Sequence, residues 1–235
     1  MTGAAQGIGQ GIVKMLLAES ASVLAFDRDE DLLRQAVGGF GGRVEPFVGS
    51  VTDRADIEAA VEAAEKRLGP VDILVNNAGV WVIKPFLEET YDDFERVLHV
   101  NLRGTWLFMK AVAPLMVERG RGVIVNLSSV SAKSYTVPAG IYGATKAGIA
   151  ALTRDVGFEL AGHGVRVNAI APGNIANPRR SNIRPPSRGL PLGSGDADDI
   201  ARAVRFLVSD DSRYVIGVTL SVAGGADLSV SIGWA

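Results

Sequence analysis

Six short apolar runs divide this 235-residue chain: SVLAFD (22–27), RVEPFVGSV (43–51), VDILVNNAG (71–79), GVIVNLSS (122–129), VRVNAIAPG (165–173) and VTLSVAGG (218–225). Most are nearly continuous in hydrophobicity rather than alternating. That pattern belongs to strands buried on both faces, as in a parallel sheet covered by helices. The stretches between them have helical periodicity. RADIEAAVEAAEKRLG (54–69) puts Ile57, Ala60, Val61, Ala64 and Leu68 on one face and stops at Gly69–Pro70. DADDIARAVRFLVSD (196–210) begins at an acidic cap and turns Ile200, Val204, Leu207 and Val208 inward. Strand–helix alternation of this kind predicts an α/β fold: one doubly wound, Rossmann-type parallel sheet with helices on both faces and right-handed crossovers. No internal repeat or linker interrupts it, so residues 1–235 read as a single domain. The stretch 172–195 is rich in Pro, Gly and Arg, and its part from 174 to 195 is expected to be a loop that covers substrate.

Ligands of open parallel sheets bind beyond the carboxyl ends of the strands. The polar residues at those ends are Asp27, then Asn76–Asn77–Ala78–Gly79, then Ser128–Ser129, then Pro172–Gly173. Ahead of them the chain opens MTGAAQGIGQG, a glycine turn entering a helix. Gly3, Gly7 and Gly9 allow a sharp turn and close approach to a pyrophosphate, whose charge the helix N-terminus favours. Asp27 lies 24 residues after Gly3 and can accept hydrogen bonds from both adenosine ribose hydroxyls. It would repel a 2′-phosphate, which favours NAD over NADP, although Arg28 beside it could pair with that phosphate. Tyr142 and Lys146 are four apart and share a helix face. A lysine cation beside a phenol lowers its pKa from about 10 toward the range of a working acid/base.

Other chemistries are disfavoured. Cysteine is absent, which removes disulfides, thiol catalysis and thiolate metal ligation. His99 and His163 have no third ligand at metal spacing, so no metal is expected. Formal charge is −2, and the only basic run is Arg179–Arg180, so nucleic acid is not an expected partner. No apolar run approaches the ~18 residues of a membrane span. The amino-terminal segment lacks the features of a signal peptide, and the expected location is the cytoplasm.

In order along nearly the whole chain, TGAAQGIG (2–9), NNAG (76–79), Asn101 in VNLRG, Ser129 in NLSSVS, YGATK (142–146) and Pro172–Gly173 resemble the short-chain dehydrogenase/reductase family. The serine thirteen residues before the tyrosine of Tyr-x-x-x-Lys is the most specific part. The resemblance implies a hydride transfer between NAD(H) and a secondary alcohol or ketone. Tyr142 would exchange the proton with the substrate oxygen, Ser129 would hydrogen-bond that oxygen, and Lys146 would assist Tyr142 and hold the nicotinamide ribose. Asn101 would help to hold a water linking Lys146 to solvent. Gln6 and Ile8 in the glycine turn, Ser50 and Val51 at the adenine, Asn77, Ala78 and Gly79 at the adenosine ribose, and Pro172, Gly173 and Ile175 at the nicotinamide complete the implied cofactor site. The family also implies a homotetramer or homodimer, through the long helices after Leu98 and Tyr142. An NADP-dependent 3-oxoacyl reductase is an alternative, as is a non-catalytic nucleotide-binding or scaffolding protein. His99 reads as a packed helix residue, while Trp81, Tyr135 and Trp234 are open between pocket, core and interface.

The chain departs from the family in four places. Ser50 replaces an aspartate at the adenine, Asn177 a threonine at the carboxamide, and Ala223 an aspartate before Gly224–Gly225. The segment between Asn177 and Leu190 also looks short for a lid. The fourth departure is larger: only Met1 and Thr2 precede the turn, so the first strand is absent from the sequence. In this fold it would lie between the strands at 22–27 and 71–79. Its loss leaves a gap of about 10 Å at the usual strand spacing. The expectation is that residues lie upstream, or that LSVSIGWA (228–235) fills the slot.

Overall fold

The computed structural model describes residues 1–134, 138–176 and 191–228. Helix α1 (Gly7–Ala18) leads to β1 (Val23–Asp27), α2 (Glu30–Val37), β2 (Val44–Val48), α3 (Arg54–Arg67) and β3 (Ile73–Asn76). Then follow α4 (Tyr91–Val97), α5 (Gly104–Arg119), β4 (Gly122–Leu127), α6 (Gly140–Ala161), β5 (Val165–Pro172), α7 (Ala197–Val208) and β6 (Thr219–Val222). Every strand pair is parallel among these residues. The α/β class and the alternation predicted from sequence are therefore present.

The side chains of each strand alternate between two apolar layers, as the two-residue period of a strand requires. Val75, Val125 and Leu127 pack with Ile12, Leu16, Leu33, Ile200 and Leu207, from α1, α2 and α7. Leu74 and Ile124 pack with Ile57, Ala60, Phe108, Val112 and Met116, from α3 and α5. The predicted inward faces of α3 and α7 are the buried ones at Ile57, Ala60, Ala64, Ile200, Val204 and Leu207. Asp53 and Asp196 cap the two helices, the latter in a reciprocal capping box with Asp199.

Strands end earlier than the apolar runs suggested. β3 stops at Asn76 because Asn77 and Ala78 turn out of the ladder and give both backbone N–H groups to Thr2 Oγ1, at 3.1 Å each. β2 stops at Val48, since the chain beyond it swings toward α3, where Ser50 N donates to Asp56 Oδ2 at 2.8 Å.

The sheet is divided. β2 and β1 form one piece, and β3, β4, β5 and β6, in that order, form the other. Met1 and Thr2 stand between them: Phe26 N donates to Met1 O (2.9 Å), Ala4 N to Phe26 O (3.2 Å) and Thr2 N to Val75 O (3.0 Å). They bridge only the carboxyl end of the slot. Below Met1 lies a groove of about 340 Å³, lined by Leu24, Phe26, Ile73, Leu74, Ala64, Phe108 and Val112 among others. The groove lies between β1 and β3. Of the segment 228–235 expected to fill it, residues 229–235 lie outside the described residues, and Leu228 is exposed.

Candidate active site

The carboxyl ends of β1, β3, β4 and β5 meet the glycine turn around one open cavity of about 780 Å³. The turn is shaped by Gly3 (φ +65°) and Gly7 (φ +54°), in the left-handed region that favours glycine. Gly9 is required for a different reason: a Cβ there would stand 1.8 Å from Gly3 O. The turn is fastened to the end of β3 from both sides. Thr2 Oγ1 takes the two amides described above, and Asn77 Nδ2 donates to Gly3 O at 2.9 Å. Thr2, conspicuous in TGAAQGIG, is a supporting residue that the sequence reading did not single out. Helix α1 starts at Gln6 with no side-chain cap, so its first amides, with Gly7 and Ile8 on the cavity wall, remain available to an anion.

Asp27 closes the far end. Its Oδ2 accepts from Ala5 N (3.0 Å) and its Oδ1 from Asp29 N (3.2 Å), which orients the carboxylate beside the turn. Arg28 lines the cavity next to it and is exposed. Ser50 also lines the cavity, but its hydroxyl is engaged with Thr52, at 2.8 Å from Thr52 Oγ1 and accepting from Thr52 N at 3.2 Å. Val51 reaches both the cavity and the apolar layer under α5.

At the other end, Ser129 follows β4, and Tyr142 and Lys146 share the face of α6 that borders the cavity. Ser129 Oγ accepts from Ser131 N at 3.1 Å. Lys146 is only 4% exposed; its ammonium donates to Leu127 O at 2.6 Å and lies 5.7 Å from the centre of the Tyr142 ring. Burial lowers the Lys146 pKa from 10.5 to about 8. Ser128, just before Ser129, donates to the main-chain oxygen of Lys146 at 2.8 Å, tying β4 to α6 at the lysine itself. Pro172, Gly173 and Ile175 form the remaining wall, with Gly173 N held by Val222 O (3.1 Å). A Cβ on Gly173 would meet Ala223 at 2.7 Å, so Ala223 sits directly against the wall.

Of the described residues expected to form the site, all but Asn101 line this cavity. Asn101 stands behind it, fully buried in a π-helical turn (Leu98–Arg103) between α4 and α5. Its Oδ1 accepts from Val80 N (2.8 Å), and its Nδ2 donates to Val80 O (2.9 Å) and Thr145 Oγ1 (3.1 Å). Its main-chain oxygen accepts from Thr105 Oγ1 at 2.7 Å. His99, expected to be packed, instead lies at the cavity rim, 3.4 Å from Glu95. Arg96 borders the cavity one turn earlier and was not anticipated. His99 lies within the π-helical segment and Arg96 just before it in α4, and no local pattern marks that face. Trp81 lines the cavity; Tyr135, Asn177 and Trp234 lie outside the described residues, as does most of the loop 174–195.

The cavity fits a dinucleotide by its polar groups: uncapped helix amides as donors mid-way, an accepting carboxylate at one end, and a buried ammonium with a phenol at the other. Among the described residues no cluster of His, Asp or Glu is placed to hold a metal. No helix described is long and apolar enough to cross a membrane.

Residues 3–227 match the family model described as enoyl-(acyl carrier protein) reductase. The chain is 36% identical to a 3-oxoacyl-[acyl-carrier-protein] reductase of Thermotoga maritima, over 96% of this chain and 95% of that protein. It is 34% identical to a galactitol 2-dehydrogenase of Agrobacterium fabrum, with the same coverage of 96% and 95%. Among solved structures, a 3-ketoacyl-(acyl-carrier-protein) reductase of Brucella melitensis complexed with NADH superposes with a TM-score of 0.91 at 32% identity, covering 96% of each chain. The chain belongs to the short-chain dehydrogenase/reductase family of oxidoreductases.

Proposed function

We propose that this short-chain dehydrogenase/reductase is an NAD-dependent enzyme that interconverts a secondary alcohol and its ketone, with Tyr142 as the acid/base. The observation that carries the reading is the buried Lys146 ammonium beside the Tyr142 ring, at the opposite end of the cavity from Asp27. When bound, the nicotinamide cofactor supplies or takes up the hydride. Lys146 stabilises the Tyr142 phenolate and so lowers the cost of moving a proton between the phenol and the substrate oxygen. With a pKa of about 8, Lys146 remains mostly protonated at neutral pH and can play that part. Ser129 donates a hydrogen bond to the substrate oxygen as charge develops on it. Asn101 supports a water that returns protons to Lys146. Asp27 accepts from the adenosine ribose hydroxyls and disfavours a 2′-phosphate. The glycine turn and the first amides of α1 take the pyrophosphate.

Arg28 at the cavity wall favours a second reading, an NADP-dependent 3-oxoacyl reductase, the activity for which the Thermotoga relative is named. A homo-oligomer built on α5 and α6 suits the exposed Trp106 and Phe158 on those helices, and sedimentation would measure its size.

Fluorescence titration with NADH and NADPH separates the readings. Tighter NADH supports the first, tighter NADPH the second, and binding of neither leaves a scaffolding role. Turnover of an acetoacetyl thioester and of galactitol, with Tyr142→Phe in parallel, tests the chemistry. The Phe variant should lose at least about 10²-fold in turnover while binding NADH nearly as well. Equal turnover would overturn the role of Tyr142.

A further inference from the structure

Thr145 lies inside YGATK, between Tyr142 and Lys146, yet it does not face the cavity. It is 1% exposed and points toward the π-helical turn that carries Asn101. A hydroxyl has one proton to give. Thr145 gives it to the main-chain oxygen of Tyr142, at 2.8 Å. Toward its second neighbour, Asn101 Nδ2 at 3.1 Å, the hydroxyl can therefore only accept. This polarity fixes which end of the Asn101 carboxamide faces α6: the NH₂ end. The Oδ1 end is turned toward the loop after β3, where Val80 N meets it at 2.8 Å. A Cβ placed on Gly79 would sit 3.4 Å from Asn101 Oδ1 and 3.6 Å from Lys146 Nζ. The oxygen end thus borders the same residue as the ammonium, where an acceptor suits a cation and an amide donor would not.

We propose that Thr145 is a positioning residue that holds the Asn101 carboxamide in this orientation and keeps the π-helical turn aligned with Tyr142 and Lys146. The inference rests on the functional reading above, because it is Asn101 and Tyr142 that Thr145 serves. All the polar atoms of the Asn101 side chain are satisfied by just two residues, Val80 and Thr145. Of these, only Thr145 belongs to the helix that carries the acid/base. Without the hydroxyl, one buried Nδ2 hydrogen has no acceptor, and the carboxamide and its turn are free to shift relative to α6.

The test compares Thr145→Val, which keeps shape and loses the hydroxyl, with Thr145→Ser, which keeps the hydroxyl. Three quantities are measured: hydrogen–deuterium exchange of residues 98–103 in the ligand-free protein, NADH affinity by fluorescence, and the pH profile of kcat with the better of the two substrates named above. The Val variant should exchange faster at 98–103. Its kcat should fall roughly tenfold, the scale of one lost buried hydrogen bond, with a shifted pH profile and NADH affinity within about threefold of the parent. The Ser variant should restore exchange, kcat and profile. A Val variant with unchanged exchange and unchanged kcat profile overturns the proposal, as does a Ser variant impaired as badly as Val. Should Val fail to fold, Thr145→Ala takes its place with the same expected signature. Tyr142→Phe distinguishes the two levels of inference. If it retains turnover, the functional reading has failed, and Thr145 is then judged on exchange alone: faster in Val but not in Ser supports it, and no difference overturns it.

Discussion

Replacing Lys146 by Met should stabilise the fold at neutral pH while removing activity. The ammonium is buried, and among the described residues it has no carboxylate partner; its contacts are the Leu127 carbonyl and the Tyr142 ring. Burial of an uncompensated cation is what lowers its pKa from 10.5 to about 8. The sign follows from proton linkage. Because the folded pKa lies below the unfolded one, the unfolded chain binds the proton more tightly between about pH 8 and pH 10.5. Stability therefore rises with pH through that window, and the full penalty stands below it. At about 1.4 kcal/mol per pH unit, the penalty at pH 7 is on the order of 3 kcal/mol. Methionine fills similar space without charge, but it leaves Leu127 O unpaired, at about 1–2 kcal/mol. A net gain of about 1–2 kcal/mol remains, which for a chain of this size raises Tm by roughly 2–8 °C. Circular dichroism melts and urea titrations of both proteins at pH 7 and pH 9.5 measure it. By pH 9.5 the parent has recovered about 2 kcal/mol, so the advantage of the variant should vanish or reverse. A Met variant that is less stable at pH 7, or a difference that does not change between the two pH values, would refute the argument that burial of the cation sets this pKa.

Three further outcomes are expected. Asp27→Ala removes the acceptor beside the glycine turn, and NADH affinity should fall about tenfold while NADPH affinity holds or improves, as fluorescence titration would show. Gly9→Ala places a methyl group against Gly3 O, so the turn must open; NADH binding should be lost even in protein that remains folded by circular dichroism. Asn126 is fully buried between Asn76, whose Nδ2 it accepts at 2.9 Å, and Thr153, to which it donates at 3.0 Å. Asn126→Ala should cost about 2 kcal/mol or more in urea unfolding, because Asn76 loses its acceptor in the sheet interior.

Local pattern carried much of this protein. Short, near-continuous apolar runs alternating with helical patterns fit strands covered on both sides, so the parallel sheet and the order of its elements were legible from residues 22–27 through 218–225. The glycines at 3, 7 and 9 announced a turn because glycine alone tolerates its backbone angles and close contacts. Tyr142 and Lys146 announced a shared face because four residues make about one helical turn.

What the tertiary structure decided depends on contacts between residues far apart in the chain. Asn77 and Ala78 leave their strand because Thr2, some 75 residues earlier, offers its hydroxyl to their amides. The Lys146 pKa falls because elements distant in sequence exclude water around it, and composition carries no trace of that. Asn101 is displaced behind the cavity by a π-helical turn, whose extra residue per turn breaks the helical period that sequence patterns count. His99, inside the same segment, faces the cavity rim instead of the core. Thr145 reads as a spacer in YGATK until folding sets its hydroxyl between Tyr142 and Asn101. Sequence determined which groups reach the ends of the strands; tertiary packing determined their charge states and orientations, because both depend on neighbours that only folding brings together.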